Sequence, residues 1–392
     1  MSKLPREAKL FGLVSLLNDF ASEMIYPLLP SFVTGVLGAG AGALGALDGA
    51  ADFAATFVKY GAGRLADRPA RRGPLIVLGY AIAVAVRPII AITAAAWQVI
   101  ALRVVDRVGK GIRTPPRDAL IADVTPPELK GRAFGLQRGM DHAGAVLGPL
   151  AAWALLQSGA DVRRVIAASI VPGVAVLGLA WWATRDGQER SRTGERTVGA
   201  PLVPPPPVPS RPFSPALFAI IAFYLLRMPE TLIILRAQQL GVPVAAVLLL
   251  WAALHVVRSS SSFAGGALND RIGPPRTMWI GWLCYALVAG GFALAGSSLA
   301  AWLLFLAFGL VAGLTESPER ALVSRLAGTH QGSGFGTYHA LTGFFALLGG
   351  VGLGALYQLR GAAPAFGLSA ALGAVLVLLW PFLHRPDRVP TA

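Results

Sequence analysis

Several apolar stretches of the chain are interrupted by charge, and the charged residues are where chemistry is possible. Asp19 and Glu23 stand one helical turn apart inside the first such stretch, beside Asn18, Ser22 and Tyr26. A carboxylate in hydrocarbon is costly unless it is paired, protonated or facing water. Desolvation favours the neutral acid, and a nearby cation favours the anion. A carboxyl held between those states can carry a proton, so Asp19 and Glu23 are candidate proton-coupling residues. The alternative is a permanent salt bridge to the fourth or fifth stretch.

The fourth stretch carries Arg103, Asp106, Arg107, Lys110, Arg113 and Arg117. Positions 103, 107, 110, 114 and 117 follow the helical i, i+3/i+4 rule and form one stripe. A cationic stripe does not face lipid, so it faces a central cavity or partner acids. Arg87 and Arg227, near the middles of the third and seventh stretches, can add to it. Arginine suits bidentate binding of carboxylate or phosphate. Asn18, Tyr26, Arg87, Arg103, Asp106, Arg107, Lys110, Arg113, Arg227 and Glu230 are therefore the expected substrate-binding set. The plainer alternative is that these cations neutralise Asp19, Glu23, Asp48, Asp52, Asp106 and Asp141. Asp141 and His142, one turn after Arg138, form a second coupling candidate, since histidine titrates near neutral pH. His255 and Arg258 are expected to line the cavity with Glu230, and Glu316 to pair with Arg320.

The elements that position these residues follow from composition. Of 392 residues, 55% are hydrophobic and 14% charged, against about 25% charged in soluble domains. Mean hydropathy is +0.61. The chain is too apolar to be disordered. Its net charge of +14 does not make it a soluble nucleic-acid binder, which needs a basic water-facing patch beside a normal core. Bilayer-spanning helices of roughly 20 residues explain the composition.

Twelve apolar stretches recur, near 10–37, 42–64, 74–95, 98–122, 132–157, 163–184, 214–237, 243–265, 276–297, 299–322, 334–357 and 363–384. The first is too long and too polar for a signal-peptide core. Alternate connections are basic, with Arg64, Arg68, Arg71 and Arg72, then Lys130 and Arg132, Arg271 and Arg276, and Arg325; the others are nearly uncharged. By the positive-inside rule both termini lie in the cytoplasm. Arg163, Arg164 and Arg360 are exceptions. Residues 185–213, with Pro204 to Pro207, read as an extended cytoplasmic linker. The expected domains are a six-helix bundle over 1–184, the linker, and a second six-helix bundle over 214–392. The single cysteine, Cys284, permits no disulfide within the chain.

The halves repeat. Gly63 to Arg68 matches Gly266 to Arg271 at an offset of 203 (266 minus 63). Pro116 to Leu120 matches Pro318 to Leu322 at 202, and Gly131 to Gly135 matches Gly332 to Gly336 at 201. Duplication of a six-helix unit gives parallel halves, a transporter arrangement with substrate held between them.

These motifs resemble the major facilitator superfamily over the whole chain. Gly63-x-Leu65-Ala66-Asp67-Arg68-x-x-Arg71-Arg72 is similar to its loop between helices 2 and 3, and Gly266 to Arg276 to the echo of that loop. Gly144-x-x-x-Gly148-Pro149 resembles the helix 5 signature of proton-coupled antiporters. The Asn18 to Pro27 and Lys110 to Asp118 patterns resemble a bacterial permease branch. The resemblance implies the twelve-helix, all-α major facilitator fold in a bacterial cytoplasmic (inner) membrane. It also implies a latch at Gly63, Asp67, Arg68, Asp270 and Arg271 that locks the halves together. Gly144 and Gly148 share a helix face that permits close contact, and Pro149 permits a kink. They read as a hinge and seal near the half-to-half interface, with plain packing as the alternative.

The expected function is alternating-access secondary transport, with proton-coupled efflux of a small organic solute or drug leading. Proton-coupled import or exchange of an organic or phosphorylated anion is the alternative. The chain carries no HExxH, GxSxG or P-loop motif. An enzyme, a metal and a cofactor are therefore not expected. The expected partners are a small-molecule substrate, protons and the lipid bilayer, with no nucleic acid, and the expected state is a monomer.

Overall fold

The computed structural model describes residues 4–66, 69–126, 129–192, 215–327 and 331–383, and among them it is helical with no strand. The helices line up as twelve membrane rods. In the first half α1 is Arg6–Glu23 continued by short turns to Val36, α2 is Ala41–Ala66 and α3 is Pro69–Ile89. Then follow α4 at Ala96–Val124, α5 at Lys130–Gln157, and α6 at Val162–Ala168 with Ile170–Arg192. In the second half α7 is Pro215–Leu226 with Glu230–Gln239, α8 is Val244–Ile272 and α9 is Pro274–Leu294. The last three are α10 at Ser298–Ala327, α11 at Gln331–Arg360 and α12 at Ala362–Leu383.

Eight of the rods are long and apolar enough to cross a membrane by composition. The other four, α1, α2, α4 and α5, are the ones interrupted by Asp19 and Glu23, by Asp48 and Asp52, by the α4 cations, and by Arg138 and Asp141. Helices also outrun the apolar stretches at the end where the termini lie. Thus α6 continues to Arg192, into the segment expected to be linker from residue 185. Charged side chains there do not interrupt a helix whose backbone bonds are internal. Pro204 to Pro207 lie outside the described residues.

The repeat is visible in backbone contacts. A Cβ on Gly79 of α3 would meet the Gly109 carbonyl oxygen of α4 at 2.5 Å, and on Gly281 of α9 the Leu314 carbonyl oxygen of α10 at 2.9 Å. A Cβ on Gly111 of α4 would meet Val58 of α2 at 2.9 Å, and on Gly313 of α10 the Ser261 backbone of α8 at 2.4 Å. A Cβ on Gly148 of α5 would meet the Phe20 carbonyl oxygen of α1 at 2.4 Å, and on Gly349 of α11 the Leu225 carbonyl oxygen of α7 at 2.1 Å. Each pair of glycines is separated by the sequence offset of the repeat. A Cβ on Gly144 would likewise meet the Leu16 carbonyl oxygen of α1 at 2.2 Å. The closest contact of Gly144 and Gly148 is therefore with α1 inside the first half, as plain packing gives, while the same helix also packs on α8 of the second half, and α5 runs unbroken through Pro149.

The halves meet most closely along α2 and α11, where Gly45 would clash with the Gly350 carbonyl at 2.0 Å and Gly49 with Leu347 at 2.7 Å. At the end opposite the termini, the Gly42 amide donates to Gln358 Oε1 at 3.0 Å, and Gln238 Nε2 donates to Ser31 Oγ at 2.5 Å. The latch residues lie at the terminal end: Gly63 in the last turn of α2, Asp270 and Arg271 in the last turn of α8. Asp67 and Arg68 lie outside the described residues. Arg72 joins three helix ends there, donating Nε to the Ala66 carbonyl at 2.7 Å and Nη1 to Asp123. Arg163, on the uncharged side, is held by the Ala91 and Thr93 carbonyls and lies over Phe32 at 5.0 Å.

Helix contacts this close admit no side chain. Gly313→Leu is expected to lower stability by about 1–3 kcal/mol or more. Gly352→Leu, at a position with nothing within 4 Å, is expected to change it little. Thermal unfolding of the two detergent-purified variants checks the difference.

Candidate functional site

Two features of α7 and α2 build the site. Helix α7 breaks at Arg227 to Pro229, because Pro229 has no amide hydrogen to continue the ladder. The break is held by the second half. The Met228 amide donates to the Tyr285 hydroxyl at 2.6 Å, and Ser369 Oγ donates to the Leu226 carbonyl at 2.7 Å. Tyr285 and Ser369 lie 2.5 Å apart, oxygen to oxygen. The restarted helix Glu230–Gln239 points its N-terminus at α2. Asp48 Oδ2 there accepts the Thr231 amide at 3.1 Å and the Thr231 hydroxyl at 2.8 Å, while its Oδ1 accepts the Tyr26 hydroxyl at 3.0 Å. A carboxylate at a helix N-terminus is stabilised by the helix dipole and by amide donors. Asp48 thus ties the two halves.

Between the halves lies a cavity of about 440 Å³, walled by α1, α2 and α4 on one side and α7, α8, α10 and α11 on the other. Toward the terminal end it continues into a cavity of about 250 Å³, which shares Asp52, Tyr224, Arg227, Glu316 and Ala346 with it. Glu23 lines the main cavity and crosses it: Trp251 Nε1 donates to Glu23 Oε2 at 2.9 Å, and His255 Nε2 lies 3.9 Å from the same oxygen. Glu230 sits between two arginines, 2.5 Å from Arg258 and 3.5 Å from Arg227. Those guanidiniums lie over Phe308 at 5.6 and 5.5 Å.

The α4 cations divide into two groups. Asp106 accepts Arg87 Nε at 3.0 Å and Arg103 Nη1 at 3.2 Å. Arg87 also reaches the Asn18 carbonyl at 3.0 Å, and Arg113 reaches Asn18 Oδ1 at 3.2 Å. This buried network stands behind the cavity wall. Asn18, Arg87, Asp106 and Arg113, expected to bind substrate, do not line either central cavity, because they satisfy one another. Arg103, Arg107 and Lys110 do line it. Arg103 lies over the Tyr26 ring at 4.8 Å, and its Nε and Nη2, with Arg107 Nε, are buried without a hydrogen-bond partner among the described residues. Neither Arg107 nor Lys110 makes a side-chain hydrogen bond or ion pair there. Asp52 of α2 lines the same cavity.

The remaining expected residues lie elsewhere. Asp19 accepts Asn18 Nδ2 at 2.9 Å and does not line the cavity, although Glu23, one turn on, does. Asp141 accepts Gln137 Nε2 at 2.6 Å, with Arg138 at 3.9 Å, and His142 follows it on α5; neither lines the central cavities. Sequence reasoning missed three positions. Trp251 had no charge to mark it. Asp48 was counted as a counter-ion, though its place inside an apolar stretch was a signal. Glu319 was read as part of a repeat motif. It is 4% exposed, accepts Tyr338 at 2.6 Å and Tyr224 at 3.4 Å, and makes no ion pair among the described residues.

Two repeated six-helix bundles, closed together at one end over a charged central cavity, define a multi-pass membrane transporter. The chain belongs to the Major Facilitator Superfamily, whose family model matches residues 11–340 and 261–392. It is 28% identical over 371 residues to the MFS-type transporter MJ1317 of Methanocaldococcus jannaschii, covering 91% of this chain and 90% of that one. Over 124 residues, 32% of this chain and 30% of the relative, it is 33% identical to the multidrug resistance protein MdtH of Cronobacter sakazakii. Its fold matches the crystal structure of the nucleoside transporter NupG with a TM-score of 0.76 at 12% identity, over 98% of this chain and 100% of that one.

Asp48→Ala removes three hydrogen bonds that a carboxylate accepts, two of them across the halves. The closed end is expected to lose about 1.5–3 kcal/mol, the worth of a charged hydrogen bond. Spin labels at positions 42 and 358 should then show a longer, broader distance distribution by pulsed EPR.

Proposed function

We propose that the protein is a proton-coupled secondary transporter that moves a small organic solute bearing an anionic group by alternating access. One observation carries the substrate class. Arg103, Arg107 and Lys110 stand on successive turns of α4 along the cavity wall, and among the described residues Arg103 Nε and Nη2 and Arg107 Nε have no hydrogen-bond partner. Buried donors without acceptors are costly, and a carboxylate or phosphate of the solute offsets that cost. The opposite wall, Trp251 with the Glu230–Arg258 pair, supports a solute that also has an apolar or polar body. A wholly apolar drug has little to contact here, since pockets for such ligands are mostly apolar.

Proton coupling is assigned to acids that lie between pairing and burial. Glu23 joins the halves through Trp251 and His255, so its charge bears on whether they part. Glu319, held among the described residues by tyrosine hydroxyls, is the second carrier candidate, and Asp19, Asp141 and His142 are outer members of a proton path. The basic connections favour cytoplasmic termini in an inner membrane. In that orientation the contacts of Gly42, Ser31 and Asp48 close the outside, and the cavity faces inward. The resemblance of Gly144 to Pro149 to an antiporter signature and the partial likeness to a multidrug resistance protein favour efflux. Uptake or exchange of an organic or phosphorylated anion is the competing direction.

A panel of carboxylated, phosphorylated, neutral and cationic solutes in proteoliposomes with an imposed pH gradient tests the reading in both directions. Movement of cations in preference to anions would remove the anion assignment. Arg107→Ala is expected to weaken anionic solutes by roughly 10-fold to 100-fold, the worth of a charged hydrogen bond, and cationic ones little, as measured by competition. Glu23→Gln and Glu319→Gln are expected to abolish gradient-driven accumulation while solute exchange without a gradient persists. Full accumulation in both variants would place the coupling elsewhere.

A further inference from the structure

Away from the central cavity, a groove of about 420 Å³ opens on the outer surface between α9 and α12. Its walls are Trp279 and Ile280 of α9 and Trp380 of α12, and among the described residues Arg276 is the one charged residue in its lining. The groove lies in the first two turns of α9 and the last turn of α12, where both helices reach the end of their apolar spans.

Two reciprocal hydrogen bonds hold it open. Trp279 Nε1 donates to the Val377 carbonyl at 3.0 Å, and Trp380 Nε1 donates to the Pro275 carbonyl at 3.0 Å. The first has a cause in sequence. Pro381 has no amide hydrogen, so the Val377 carbonyl four residues earlier loses its helical donor, and the indole of the facing helix replaces it. Trp380 also meets Trp282 edge-on at 4.9 Å between ring centroids. The rings are therefore fixed as walls of a preformed slot. The outer face of α12 continues from it, with Leu378 71% and Phe382 74% exposed to what is hydrocarbon in a membrane.

We propose that this groove binds one anionic glycerophospholipid, with an acyl chain between Trp279 and Trp380 and the phosphate on Arg276. The slot has the volume of a ligand pocket, about 300–1,000 Å³. Its apolar lining matches a chain and rejects a polar solute. Arg276 is exposed at the helix start, where a long cationic side chain reaches the headgroup layer. Among the described residues no acid lines the groove to repel a phosphate. Anionic headgroups add to that attraction, whereas a zwitterionic headgroup brings an ammonium beside the guanidinium.

Native mass spectrometry of the full-length protein, titrated with phosphatidylglycerol or phosphatidylcholine of matched chains, tests this. One phosphatidylglycerol is expected to bind more tightly than any phosphatidylcholine. Arg276→Ala should weaken it about fivefold, the effect of one basic residue near a lipid surface, and Arg276→Lys should largely restore it. Ile280→Trp should weaken both lipids by filling the slot. Thermal unfolding confirms that each variant is folded, and the exposed Arg276 pair decides the matter if Ile280→Trp is not. Equal binding of the two lipids, or an Arg276→Ala variant that binds phosphatidylglycerol like the parent, would overturn the site. So would increased lipid binding after removal of residues 384–392, which would make that segment the occupant.

Discussion

A charge or an open backbone group inside a bilayer must find its partner within the protein or face water. That constraint arranges this molecule. In the first half it gathers Arg87, Arg103, Arg113, Asp106 and Asn18 into one buried network. In the second it closes the broken α7 with Tyr285 and Ser369. What these partners leave over is turned toward the cavity, so the cavity's chemistry is the remainder of the satisfaction of the core.

The two halves share a backbone plan and differ in what they do with it. The equivalent glycine contacts of α3 on α4 and α9 on α10, and of α1 on α5 and α7 on α11, keep one geometry in both. Upon that frame the first half supplies excess cations from α4, and the second supplies aromatic rings and the Glu230 pair. The first-half wall is cationic along α4, and the facing wall sets Tyr224 and Trp251 among Arg227, Glu230, His255 and Arg258. Asp48 and Glu23 reach from the first half to the second, one capping the restarted helix and one meeting Trp251. Two acids that border the cavity, Asp48 and Glu23, thus also make contacts between the halves.

Much of the fold was legible. Hydrophobic periodicity, alternating loop charge and the repeat at 201–203 positions give twelve helices in two bundles, because a membrane span is a local property of about 20 residues. The cavity cations Arg103, Arg107 and Lys110 were also legible, since a helical stripe follows from spacing alone. The assignment of Asn18, Arg87, Asp106 and Arg113 to the substrate was not correct in placement. A stripe tells which residues share a face, and it does not tell which neighbours already satisfy them. Gly144 and Gly148 were likewise legible as a contact surface, and the helix they pack on, α1, was not.

The sequence by itself determined the class of protein, its helices, its duplication and the short list of charges that hydrocarbon would not tolerate. Tertiary structure alone decided which of those charges are spent on one another and which face the cavity. The break in α7, the cross-half bonds of Asp48 and Glu23, the tyrosine-held Glu319 and the Trp279–Trp380 slot are all of that kind. Each joins residues tens to hundreds of positions apart, and whether a buried donor has an acceptor depends on distances that no local pattern contains.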